Sequence, residues 1–207
     1  MPLTIPAPPP ESVAAVDAAV PRIAASPGIA AQAPAVAAGA AIFMNRARTA
    51  APQGGLATVS SRVYTLGLDA IVGGAGLSAA TLVHWTHLLP SGGGRVVAAD
   101  VTADTARFDG MTEGPQPDGV RRLIETLPAD PAVAAGNYEL AVLRVPALFV
   151  TAVWLRGQGG SADILVPADP TDPALTPGRH YSAADFLQAL APAAQSKLAN
   201  SDPRKGG

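Results

Sequence analysis

Apolar and polar residues recur along this chain with two different periods, and the change of period marks its elements. In residues 11–25, Val13, Val16 and Val20 fall at helical spacing, Ser12 stands where an N-terminal cap belongs, and Pro21 is expected to interrupt the helix. A second, alanine-rich helix is predicted over 35–47. From Ser60 the period shortens to two: SSRVYTLGL reads as a strand that closes near Gly67, with Val63 and Leu66 apolar. Residues 118–127 return to helical spacing, with Val120, Leu123, Ile124 and Leu127 on one stripe, Asp118 as cap and Pro128 as stop. NYELAVLRVPALFVTAVWLRG is the most hydrophobic segment and is rich in β-formers; Pro146 divides it, because proline cannot donate to a ladder. Over 147–155 both alternating sets are largely apolar, which predicts a strand covered on both faces. GQGGS at 157–161 reads as a hairpin loop into a further strand, ADILVPAD. The last helix is predicted over 183–198, starting from a capping-box-like Ser182 and Asp185 and presenting Phe186, Leu187 and Leu190.

These elements predict an α+β fold: a mostly antiparallel sheet of five or six strands packed by two or three helices. Residues 1–57 read as a Pro/Ala-rich, weakly structured arm, 58–199 as the α+β domain, and 200–207 as a polar tail. Pro2, Pro6, Pro8, Pro9 and Pro10 favour extended backbone without internal hydrogen bonds. The alanine-rich helices after them bury little, so docking is the most expected of them.

Residues 69–100 admit two foldings that exclude each other. Gly74-Ala75-Gly76-Leu77-Ser78-Ala79 satisfies G-x-G-x-x-[GA] after a short apolar run, and Asp100 follows at the spacing of a ribose-binding carboxylate. This string resembles the opening of flavin- and nicotinamide-dependent oxidoreductases. The resemblance implies that Gly74, Gly76 and Ala79 would face the pyrophosphate of FAD or NAD, and Asp100 its ribose. The residue pattern favours the other folding. Val97, Ala99, Val101 and Ala103 make one apolar face that runs on past Asp100, TLVHWTHLL is rich in β-formers, and PSGGG suits a hairpin connection. Strands after Asp130 follow one another through tight loops, so no βαβ alternation continues. A hairpin over 81–104 is therefore the expectation, with no cofactor.

Composition narrows the function classes. Hydrophobic residues are 48% of 207, but alanine inflates that figure; aromatics are 4% and none lies in the first forty residues, which puts the core downstream. The net charge of −2 comes without a basic cluster, so the positive face of a nucleic-acid binder is missing. No apolar run reaches membrane-spanning length, and MPLTIPAPPPES lacks the features of a signal peptide, which makes cytoplasmic residence the expectation. The absence of cysteine excludes disulfides, thiolate zinc sites and cysteine nucleophiles. Heavy use of Ala, Gly, Pro and Arg suggests a high-GC bacterial source.

Candidate chemistry is sparse. On a helix His84 and His87 would share a face and bind a metal with Asp100 or Asp104; on a strand they point apart, so no metal is expected. His180 is a candidate general base for a small hydrolase, oriented by Asp169 or Asp172, although these aspartates also suit Asp-Pro turns. Asp109, Thr112 and Glu113, beside glycines in FDGMTEGP, are candidates for ligand contact or for a strand end with turn chemistry. The functional expectation is a non-catalytic, soluble interaction or accessory protein that binds a protein partner through its domain surface or its arm. A FAD- or NAD-binding oxidoreductase and a His180 hydrolase are the alternatives.

Overall fold

A computed structural model of the chain describes residues 3–25, 59–92 and 95–201; the helix expected at 35–47 lies outside them. In chain order the elements are β1 (Leu3–Thr4), α1 (Pro10–Ala24), β2 (Val59–Thr65), α2 (Leu68–Val72), β3 (Thr81–Gly92), β4 (Arg95–Thr102) and β5 (Phe108–Glu113). They continue as α3 (Pro115–Thr126), α4 (Pro131–Ala134), β6 (Tyr138–Val145), β7 (Val150–Gly157), β8 (Ile164–Pro167), β9 (Tyr181–Ser182) and α5 (Ala183–Ser201). The fold is α+β. Its strands follow the order β5-β4-β3-β2-β6-β7-β8-β9, and β1 lies parallel on β6 while most other pairs are antiparallel.

Among the described residues the sheet has nine strands, more than the five or six expected. β1 and β9 are two residues each, too short to carry a readable alternation. Pro146 also does more than bend one strand. It opens a 3-10 turn, Pro146–Leu148, that reverses the chain, so the hydrophobic segment becomes the antiparallel pair β6–β7.

Compactness divides the chain into two units, residues 1–4, 63–82 and 123–207, and residues 5–62 and 83–122. In the first unit, Ala141, Leu143, Val145, Val150, Ala152, Trp154 and Leu165 cluster with Leu66, Ile71 and Leu77 and with Phe186, Leu190 and Ala194 of α5. On the opposite face Leu140, Val142, Val153, Leu155 and Val166 are buried as well, so β7 is covered on both sides, as its pattern predicts. Each large side chain removed from water contributes about 1.5–3 kcal/mol, which makes this doubly buried ladder the main store of apolar burial. Ser182 caps α5: its hydroxyl accepts from the Asp185 amide at 3.1 Å and donates to the Asp185 carboxylate at 2.7 Å.

The second unit contains the hairpin expected over 81–104. β3 and β4 pair antiparallel, with Trp85 opposite Val101, His87 opposite Ala99 and Leu89 opposite Val97, and β5 continues the ladder. Helix α1 lays Val16 and Val20 against Leu89, Ala99 and Val101. Three local expectations change here. Ser12 does not cap α1; Pro9 precedes the helix, Pro10 fills its first position, and the Ser12 side chain points inward. Pro21 stands inside the last turn instead of ending the helix, because the buried valines hold that turn in place. Asp118 is not a cap either. Pro115 and Pro117 start α3 earlier, at positions where a missing N–H costs nothing, and Asp118 becomes a buried acceptor for the Val96 amide at 2.9 Å and Arg95 Nε at 3.2 Å.

Candidate functional site

The β6–β7 turn is built from Val145, Pro146, Ala147, Leu148, Phe149 and Val150, six residues without an ionisable or hydrogen-bonding side chain. Ladder pairing reaches Val145 opposite Val150 and stops, and the Phe149 amide closes the turn on the Pro146 carbonyl at 3.1 Å. Val145, Leu148 and Val150 turn inward, whereas Pro146, Ala147 and Phe149 remain exposed. Phe149 has φ 54° and ψ 31°, left-handed backbone that glycine or asparagine adopts with least cost. Its residue surface is 80% exposed, the most of any large apolar side chain among the described residues. The chain thus keeps a bare aromatic ring on strained backbone at the apex of an apolar turn.

A second feature is polar and hidden. His87 is 3% exposed and sits between two buried hydroxyls: Ser12 Oγ of α1 lies 2.8 Å from its Nε2, and Ser60 Oγ of β2 lies 2.9 Å from its Nδ1. Burial pushes the His87 pKa below its ordinary value, and the charge of Asp100 opposes that shift without cancelling it. In the neutral ring one nitrogen donates and the other accepts, so the two serines complete it in opposite senses. The ring is enclosed on both nitrogens. The arrangement is a tie between α1 and the sheet.

The remaining candidates are dispersed. The strand setting turns His84 away from His87, and His84 Nε2 meets Asp109 Oδ2 at 3.1 Å on the exposed side. Asp100 stands opposite Thr86 and accepts its hydroxyl hydrogen bond; Asp104 accepts from Thr105 at 3.2 Å. No group of three metal-ligating side chains occurs among the described residues. Thr112 and Glu113 follow Asp109 along β5, opposite Ala98 and Val97, and as strand neighbours these two point to opposite faces. The carboxylate that meets His180 belongs to Asp130, at 3.4 Å, and not to either aspartate expected. Asp172 accepts from the Ala174 amide in its own turn, and Asp169 precedes a cis Pro170.

Gly74 and Gly76 both have φ +70° and join α2 to a single 3-10 turn, Gly76–Ala79, which feeds β3. The short apolar run before these glycines, Ala70 to Gly73, which would be the first strand of a dinucleotide fold, is instead the end and C-cap of helix α2. A pyrophosphate turn needs a strand before the glycines and a helix of several turns after them; here a helix precedes and a strand follows. Asp100 belongs to the other unit.

Sequence reasoning missed the two features that stand out. Ser12 shares the i, i+4, i+8 stripe of Val16 and Val20, and a polar residue on that stripe was the available signal for a buried partner. The left-handed backbone at Phe149 left none. No helix among the described residues is long and apolar enough to cross a membrane. No protein-family model matches this chain, and neither a curated protein nor a solved structure does.

Proposed function

We propose that the chain is a non-catalytic, cytoplasmic interaction protein that binds a protein partner through the apex of the β6–β7 hairpin. The observation that carries this reading is Phe149, 80% exposed on left-handed backbone. Left-handed geometry costs a residue with a Cβ about 1–2 kcal/mol, and an exposed ring returns little of that to the fold. An aromatic side chain held rigidly at a convex, charge-free apex is the kind of anchor that fills an apolar pocket on another protein and dominates the binding energy. A lipid surface is the weaker match, because one exposed ring gives little insertion area and the chain carries net negative charge. Binding through the arm has less support: α1, its described helix, turns Val16 and Val20 inward.

The chain has three histidines. Each is engaged by a serine or a carboxylate of the fold: His84 by Asp109, His87 by Ser12 and Ser60, His180 by Asp130. Parallel affinity purification of tagged wild-type and Phe149→Asn chains, with mass spectrometry of what accompanies them, tests the proposal. A protein retained by wild type and lost from the variant is the expected result; identical recovery would remove the hairpin apex from the function.

A further inference from the structure

Helix α1 differs from the strands in how it is held. The strands are braced by ladder hydrogen bonds, whereas among the described residues α1 rests on an apolar stripe, Val16 and Val20 with Ala15 and Ile23 beside them, and on the Ser12–His87 hydrogen bond. The surface beneath it, Leu89, Ala99 and Val101, is fully or almost fully buried while α1 is in place. An element attached by a single face, away from the ladder, is the kind that opens below the global unfolding free energy. Beneath its first turn, hydrogen-bonded to Ser12, lies the His87 ring, which can gain a proton.

We propose that α1 is an acid-released cover: protonation of His87 lifts Pro10–Ala24 from the sheet of its unit and bares the apolar surface of Leu89, Ala99 and Val101. The proton goes to whichever ring nitrogen is accepting from a serine in the neutral state. That serine then loses its acceptor and its hydroxyl hydrogen needs another, while the ring carries a positive charge where water does not reach. Opening α1 hydrates the cation and frees Ser12. The ionisable groups on the elements around the ring are Glu11, Asp17 and Arg22 on α1, Arg62 and Tyr64 on β2, His84 on β3, and Arg95 and Asp100 on β4. Glu11, Asp17 and Arg22 are exposed, and Arg62 stacks over Trp85 at 5.5 Å. Asp100 is the charge that acts on His87; it favours the cation, and burial outweighs it. The cover therefore stays shut near neutral pH and opens on acidification, which gives the protein a second, conditional apolar surface distinct from the hairpin apex.

Hydrogen exchange followed by mass spectrometry on the full chain, at pH 7.5 and pH 5.5 with intrinsic rates corrected, tests this. Wild type is expected to lose protection in the α1 amides at the lower pH while β6 and β7 keep theirs, and His87→Gln is expected to show the same α1 protection at both. His84→Asn and His180→Asn should respond as wild type does. Unchanged α1 protection in wild type, or an equal loss in His87→Gln, would overturn the proposal. If His87→Gln does not fold, the wild-type chain decides: the pH midpoint of the α1 loss must coincide with the titration of the His87 ring followed by NMR. A midpoint set by carboxylates would overturn it equally.

Discussion

Replacing Phe149 by asparagine separates what the ring does for the fold from what it does elsewhere. The ring is 80% exposed, so about one fifth of its surface is covered. Full burial of a phenylalanine is worth about 1.5–3 kcal/mol, so the covered fifth accounts for about 0.3–0.6 kcal/mol. Against that loss stands the left-handed backbone, which costs a Cβ-bearing residue about 1–2 kcal/mol and which asparagine tolerates better through its short polar side chain. Asparagine relieves only part of that strain, enough to offset the lost burial, so Phe149→Asn should leave the unfolding free energy within about 0.5 kcal/mol of wild type or raise it slightly. Phe186 is the internal control. It is 0% exposed in the α5 cluster, and removing such a ring to alanine costs about 3–5 kcal/mol. Urea unfolding of the three chains, read as midpoint and slope, gives the comparison. A loss above about 1 kcal/mol in Phe149→Asn with an unchanged slope would mean that the ring supports the fold, and the exposure argument for an interaction role would fail.

Other positions give independent checks. A Cβ at Gly157 would stand 1.8 Å from the Ser161 carbonyl oxygen, so Gly157→Ala must displace backbone in the β7–β8 turn and should cost about 2 kcal/mol in thermal or urea unfolding. Asp118→Asn keeps the shape but weakens the bonds to the Val96 amide and Arg95; Asp118→Ala strands a buried N–H and should cost about 1–3 kcal/mol, with Asn intermediate. His87 sets a pH dependence whose sign is fixed by its lowered pKa. As pH falls, the unfolded chain takes up the proton first, near the ordinary value of 6.5, so stability is full above that value. It declines below it until the folded ring also titrates. Denaturation midpoints from pH 7.5 to pH 5 should show that decline in wild type, and His87→Gln should remove its share of the slope.

Much of the fold is legible in the residue pattern because periodicity and burial report the same thing. The alternation of Val97, Ala99 and Val101 past Asp100 is that of a strand with a buried face, and β4 has it. The doubly apolar run at 150–155 is covered on both faces. Ser182 and Asp185 form the capping box their spacing announces. Where the pattern misled, a residue with a strong local habit was claimed by a distant partner. Ser12 reads as a cap and is a ligand of His87, 75 residues away; Asp118 reads as a cap and serves the Val96 amide, 22 residues back.

The sequence by itself thus determined most of the periodic elements, the hairpin of residues 81–104 and the strand covered on both faces, because burial imposes a period that survives in any context; it placed the core downstream of the first forty residues, whereas Val16 and Val20 belong to it. Tertiary structure alone decided the partners of the polar residues inside that core. It also decided that Asp130 engages His180, that α1 covers Leu89 and Ala99, and that Phe149 stands bare at a turn. Such pairings depend on which elements become neighbours in space, and neither a local period nor a cap preference carries that information.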